Sequence, residues 1–166
     1  FSPETLLQEY KKEWPDPSSL IRKTLEIIKE IHERLAFYNS GKGTDATVTS
    51  EKLAKDAIQV LEEMTANPES ILDNSLPEIL LNAKTSPRPT NKGLELVKDL
   101  SNEFRILVGR DSSENISLLE IANLNSSLAL AGEMMNIICT YQEIYTQEKQ
   151  KLDSFDFDDL LLKTRN

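Results

Sequence analysis

Several residue types that define common classes of functional site are scarce in this chain of 166 residues. Its one cysteine, Cys139, excludes an intrachain disulfide and a cysteine-rich metal site. Its one histidine, His32, lies in a charged stretch without a serine or cysteine constellation, so we interpret it as a surface or boundary residue. No apolar run approaches the roughly 18 residues of a membrane-spanning helix, and no signal-peptide pattern is visible. We therefore expect a protein without membrane spans, in a reducing cytoplasm.

Basic residues are in the minority, at 19 lysines and arginines against 28 aspartates and glutamates. The net charge of −9 argues against a chain whose whole surface binds nucleic acid, because that affinity comes chiefly from basic side chains meeting phosphates. Residues 84–110 are the local exception and are called the basic island below. Its five candidate DNA-contact residues are Lys84, Arg88, Lys92, Lys98 and Arg105. The alternative interpretation of the basic island is a solvated loop and helix face.

Strand signals are also missing, because no stretch bounded by turn residues alternates between apolar and polar side chains. Helix signals are frequent instead. A capping residue followed by proline, at Ser2–Pro3 and at Asp16–Pro17, predicts a helix start in each case. The chain is therefore predicted to be an all-α, single-domain bundle of about six to eight helices with one long C-terminal helix.

Small, polar and helix-breaking residues predict the connections between these helices. Residues 39–47 are glycine-rich and residues 85–91 contain two prolines, so both are predicted loops. Further helix ends are predicted from four local signals: a cap at Thr49 or Ser50, capping boxes at Ser75–Glu78 and Asp111–Glu114, and a stop at Gly109.

The longest apolar-periodic run covers residues 116–152 and predicts one helix or two, with the break at residues 123–127. Small residues around Gly132 would let another helix approach closely, and Met134 with Met135 adds an adaptable apolar patch. Such features are most often core. Where part of this face is exposed instead, it should drive self-association of the chain.

The last stretch, residues 145–162, contains a helical pattern that breaks at Asp153–Ser154 and starts again at once. Asp156 stands at an N-cap position and Asp159 at the capping-box position three residues later. With Asp158 they form the one tight acidic cluster in the sequence, but capping accounts for two of the three. We therefore predict no metal site and no catalytic residue in the chain.

The same stretch resembles a segment of UvrD-like superfamily 1 DNA helicases, a group that includes the RecB and AddA helicase–nuclease subunits. In those proteins a tyrosine and a lysine on a long helix precede a D-F-D-D-L-L element, shortly before the acidic Walker B motif. By this resemblance, residues 1–152 are the helical accessory (1B) subdomain and residues 153–166 lead back into the motor domain. The residues that carry the resemblance are Tyr145, Lys149, Asp156, Phe157, Asp158, Asp159, Leu160 and Leu161.

The resemblance implies a parent protein that is an ATP-dependent DNA helicase, with or without a nuclease, in which this piece guides or contacts duplex DNA. Its implied partners are DNA, through the parent protein, and the rest of the helicase motor. ATP and magnesium would belong to the parent, because the chain has no G-x-x-x-x-G-K-[ST] loop and residues 41–43 lack its spacing. We expect no cofactor and no enzymatic activity in the piece itself.

Two other interpretations remain open. In the first, the chain is an acidic helical module for protein–protein interaction without a nucleic-acid role, and the final motif is only a helix cap. Alternatively, it is a metal-dependent enzyme centred on the aspartates of the last stretch.

Overall fold

The chain is helical in most of the part that the structure describes. This structure is a computed structural model, and it describes residues 3–73, 75–83, 85 and 93–152. Eight helices and no strand occur within these residues, so the predicted all-α bundle with a long last helix is confirmed. The helices are α1 (Pro3–Lys12), α2 (Pro17–Lys42), α3 (Asp45–Ala66), α4 (Ser70–Asp73), α5 (Glu78–Asn82), α6 (Glu95–Val108), α7 (Leu118–Ala122) and α8 (Leu124–Lys151).

The contacts between residues divide the chain into two compact units. The larger unit, residues 15–125, contains α2 to α7 and the first two residues of α8. The smaller unit, residues 1–14 with 126–166, contains α1 and the rest of α8. No sequence feature predicted this division, because residues 123–127 indicated only a break within one helical run. The break itself lies where it was predicted, at the start of α8.

Helix α2 is the element around which the larger unit packs, mainly against α3 and α6. It starts where the sequence predicted, since Asp16 is the N-cap and accepts a hydrogen bond from the Ser18 amide at 3.0 Å. Apolar residues recur every three or four positions along α2 and give it one buried face. The largest fully buried apolar side chains of the unit are Ile21, Ile28, Ile31, Leu35, Leu61, Leu80, Val97, Phe104, Val108, Leu118 and Ile121.

The predicted loop over residues 39–47 is wrong, because only two residues separate α2 from α3. Thr44 is the N-cap of α3, and its hydroxyl accepts a hydrogen bond from the Thr47 amide at 3.3 Å. Thr47 Oγ1 accepts a hydrogen bond from the Thr44 amide in return, at 2.8 Å. This reciprocal cap starts the helix upstream of the predicted caps Thr49 and Ser50, which lie inside α3.

Two predicted capping boxes are also wrong. At Ser75–Glu78 the helix starts so late that Glu78 is its first residue, and Pro77 stands at the N-cap without a side-chain hydrogen bond. At Asp111–Glu114 no helix starts. Asp111 instead binds the guanidinium of Arg105 at 2.9 Å, so its carboxylate is engaged by the preceding helix.

The turn between α6 and α7 is built on a glycine and on a capping box that the sequence analysis missed. Gly109 ends α6 as predicted, with a φ of 104° and its amide donating to the carbonyls of Arg105 and Ile106. The Ser117 hydroxyl then accepts from the Glu120 amide at 3.3 Å, while the Glu120 carboxylate accepts from the Ser117 amide at 2.7 Å. This box is the true start of α7.

The smaller unit brings α1 to α8 at the predicted place. A Cβ built on Gly132 would stand 3.5 Å from Leu7 Cδ1, so the two helices approach closely there. At the end of α1 the rings of Tyr10 and Trp14 meet edge to face, with 6.3 Å between their centres. No residue of α8 is fully buried and several of its apolar residues are exposed, so of the two outcomes left open for this face, core or exposed surface, the structure shows the second.

Candidate functional site

The last turns of α8 carry Tyr145 and Lys149, two of the residues that resemble the helicase segment. Their spacing of four places them on one face of the helix. Lys149 Nζ lies 4.7 Å from the centre of the Tyr145 ring, within cation–π distance. On the other side Tyr141 stacks on Tyr145, with ring centres 6.1 Å apart and planes inclined by 8°. The other predicted motif residues, Asp156–Leu161, lie outside the described residues.

These three side chains form a continuous row, called the aromatic row below. Both tyrosines are exposed, at 67% for Tyr141 and 46% for Tyr145. Each aromatic–cation or aromatic pair in such a setting contributes about 0.5–1 kcal/mol, enough to bias side-chain positions but not to fold a helix. Chemically, the row offers the π-faces of its two tyrosines to another ring.

The basic island is less available than its sequence suggests. Arg105 binds Asp111 and has a buried Nε without a hydrogen-bond partner, so this guanidinium serves the α6–α7 turn. Arg110 Nη1 donates to the Ala83 carbonyl at 2.8 Å and ties the same turn to the end of α5. Lys98 is exposed, two turns before Arg105 on α6. The remaining candidate DNA contacts, Lys84, Arg88 and Lys92, lie outside the described residues.

His32 is half-buried at the boundary between α2 and α3, in agreement with its interpretation as a surface or boundary residue. Its Nε2 lies 4.0 Å from Glu51 Oε1. Glu51 also accepts a hydrogen bond from the Asn39 amide at 2.6 Å, and Asn39 donates to the Thr47 carbonyl at 3.1 Å. This small polar network joins the two helices. Within the described ranges no three histidine, cysteine or acidic side chains come together as a metal site would require.

Two carboxylates among the described residues have a lowered pKa, and both lie at the start of a helix. The hydroxyl and the amide of Ser18 hydrogen-bond to Asp16 and lower its pKa. The amides of Glu95 itself and of Gly93 lower the pKa of the Glu95 carboxylate. Hydrogen bonds to the ionised form favour it, so both groups are stable anions at neutral pH. Neither arrangement has the raised pKa expected of a general acid.

A cleft of about 940 Å³ lies between the second half of α2 and the start of α6. Phe37, Tyr38 and Leu96 give it an apolar side, and the ion pair of Arg34 with Glu30 at 2.7 Å stands on its rim. The sequence analysis missed this cleft. The available signal was Phe37, an aromatic residue outside the apolar stripe of α2, and it is 82% exposed.

Comparisons with known proteins add no relative to these observations. No family model matches the chain, no curated protein is similar to it, and no solved structure matches its fold. Over the part of the chain that the structure describes, none of the helices has the length and apolarity needed to cross a membrane.

Proposed function

We propose that this chain is the helical accessory subdomain of a UvrD-like superfamily 1 DNA helicase. The parent protein would couple ATP hydrolysis to DNA translocation in the cytoplasm, and this piece would guide or contact duplex DNA without catalysis of its own. The supporting observation is the contact of Tyr145 with Lys149 on the long helix that precedes D-F-D-D-L-L. The resemblance includes both residues, and in this structure Lys149 Nζ lies 4.7 Å from the centre of the Tyr145 ring.

Within this proposal each part of the chain has a physical role. The larger unit is a helical body with one apolar core, which would hold a duplex in a fixed direction. Helix α8 precedes residues 153–166 in the chain, and these residues would return to the motor. ATP and magnesium would bind in the motor, since this chain has no phosphate-binding loop.

The decisive experiment starts from the gene. The reading frame should encode a G-x-x-x-x-G-K-[ST] loop before this segment and an acidic pair for magnesium after it. The purified full-length protein should then hydrolyse ATP faster when DNA is added. A frame that ends near Asn166, or an ATPase that DNA does not stimulate, would contradict the proposal.

DNA contact by the chain can be tested separately, by fluorescence anisotropy with a labelled duplex at low salt. Lys98→Glu, and the double variant Arg88→Glu with Lys92→Glu, should weaken binding and reduce the salt slope by about one per lost phosphate contact. Lys55→Glu on the exposed face of α3 is the matched control for Lys98→Glu, and Lys52→Glu with Lys55→Glu is the control for the double variant, because each changes the net charge equally outside the basic island. Equal effects from all variants would remove the basic island from the proposal.

One observation favours the second candidate function, a helical protein–protein interaction module. Arg105 and Arg110 are engaged by atoms of the chain itself, whereas α8 exposes a large apolar face. In that case the chain should show no measurable duplex binding at low salt, and its reading frame should lack the phosphate-binding loop.

A further inference from the structure

Helix α8 carries a row of exposed apolar residues with heptad spacing. The steps between its members are four, three, four and three residues, the alternation of the a and d positions of a coiled coil. Ile137 and Tyr141, at its centre, are 68% and 67% exposed. We call this row the α8 seam, and its members are Leu130, Met134, Ile137, Tyr141 and Ile144.

A second row widens the same face. Ile138, Tyr145 and Leu152 follow each other at intervals of seven residues beside the α8 seam, and all three are exposed. Three apolar positions per heptad are typical of helices that pack in bundles. The contact with α1 does not cover this face, since Leu7 approaches α8 at Gly132, which lies on the opposite side of the helix at 100° per residue.

The periodicity and the charge identify the class of partner. A repeat of 3.5 residues keeps one face of a helix in register with a second helix over several turns. Packing against a strand or a flat surface would not require this repeat. A helix that lies on a membrane surface is typically rich in lysine and arginine. The charged residues of α8 are instead mixed and mainly acidic: Glu133, Glu143, Glu148, Lys149 and Lys151. The partner of the α8 seam is therefore an apolar helix.

The exposed area fits an interface between two copies of the chain. With 55–68% of each residue exposed, the five residues of the α8 seam expose on the order of 600 Å², a large part of the roughly 800 Å² that each partner buries in a standard interface. An apolar patch of this size lies at the upper end of the range found on the surface of monomers. Among the described residues, α8 of a second copy offers a matching row of the same length, and a two-fold axis lets each seam cover the other.

The direction of the two helices follows from the end of the heptad pattern. The position after Ile144 in the repeat is Glu148, an acidic residue at a seam position. A parallel pair would place two copies of Glu148 side by side, whereas an antiparallel pair separates them. We propose that the chain forms an antiparallel homodimer through the α8 seam, with Ile137 of one protomer against Tyr141 of the other. This inference does not depend on the helicase proposal.

Sedimentation equilibrium on the 166-residue chain, from about 1 μM to about 200 μM, tests the proposal. The expected result is a reversible transition from 18.8 kDa to twice that mass. Ile137→Lys and Tyr141→Glu should each weaken the dimer about tenfold or more. Ile116→Lys is the matched control, because Ile116 is 49% exposed outside α8, and it should leave the dimer unchanged.

Mixing the two seam variants tests the direction of the helices. In an antiparallel pair the lysine introduced by Ile137→Lys faces the glutamate introduced by Tyr141→Glu, so the mixture should recover much of the lost association. Both positions are exposed in the monomer, so the far-UV circular dichroism of each variant should match the parent chain.

Two results would overturn the proposal. A chain that stays monomeric at the highest concentration has no seam-to-seam dimer. If the same substitutions then lower the melting temperature, the cover of the α8 seam is intramolecular. A dimer that is weakened no more by the seam variants than by Ile116→Lys uses another surface.

Discussion

Replacing Gly109 by alanine should cost more stability than any other glycine-to-alanine change at a left-handed position in the described part of the chain. Gly109 has a φ of 104°, a backbone conformation that side-chain-bearing residues rarely adopt. A Cβ at this position would also stand 2.7 Å from Leu119 Cβ and 2.7 Å from Ser117 Oγ. The clash therefore falls on the hydroxyl that caps α7.

The magnitude follows from these two separate costs. Holding alanine at a positive φ costs about 1–2 kcal/mol. Displacing the Ser117 hydroxyl from the Glu120 amide removes a cap worth about 0.5–2 kcal/mol. The sum of about 2–4 kcal/mol is a large share of the stability of an ordinary domain and corresponds to a melting temperature lower by roughly 5–15 °C.

Gly93→Ala is the matched control for this prediction. Gly93 has a similar φ of 96°, but nothing lies within 4 Å of the Cβ that alanine would add. Gly93→Ala should therefore lose only the conformational part, about 1–2 kcal/mol. Urea denaturation followed by circular dichroism at the helical band measures both variants. Equal losses would show that neither the contact with Leu119 nor the Ser117 cap is sensitive to this position, and the reasoning would be refuted.

Three further changes test other parts of the larger unit by the same thermal and urea assays. Asp16→Ala should lower the melting temperature at neutral pH, and the difference from the parent chain should close as the pH falls below 3.8, because hydrogen bonds from Ser18 lower the pKa of Asp16 and its contribution is lost on protonation. Phe104→Ala should cost about 3–5 kcal/mol, since the ring is fully buried and leaves a cavity. Gly41→Ala should instead stabilise the chain by about 0.5 kcal/mol, because the site is helical with open space around it.

The helical class and the central helix could be predicted because both depend on local signals. The apolar positions of α2 recur with helical spacing, and Asp16 with Pro17 marks its start. Gly109 was predicted to end α6 because the left-handed backbone conformation after a helix favours a residue without a side chain. In each case the information lies within a few residues of the feature that it determines.

The errors arose where several local signals compete. Residues 39–47 contain two glycines and read as a loop, yet the reciprocal cap of Thr44 and Thr47 allows α3 to start within this stretch. Asp111 has the right residue type and spacing for a cap, but Arg105 binds its carboxylate. The partner of a carboxylate depends on the tertiary structure, so spacing alone could not decide between these alternatives.

The candidate surfaces also show that contacts between distant segments are hard to predict from the sequence. The row of Tyr141, Tyr145 and Lys149 could be anticipated in part, because a spacing of four always aligns side chains on a helix. The cleft beside Phe37 could not, because it depends on where the start of α6 lies relative to α2. Geometry between distant segments leaves little trace in a single sequence.

Helices α2 and α8 show that an apolar face and a buried face are different properties. Periodicity in the sequence predicts the first and not the second. Both have an apolar face, but α3 and α6 cover that of α2, whereas no residue of α8 is fully buried. The apolar periodicity of a helix indicates that one face is suited to packing. It does not indicate whether the same chain or another molecule packs against that face. Leaving such a face in water forfeits roughly 25 cal/mol for each Å². For this chain, the apolar face that folding leaves exposed lies on α8 around Ile137 and Tyr141, and the proposed dimer rests on that face.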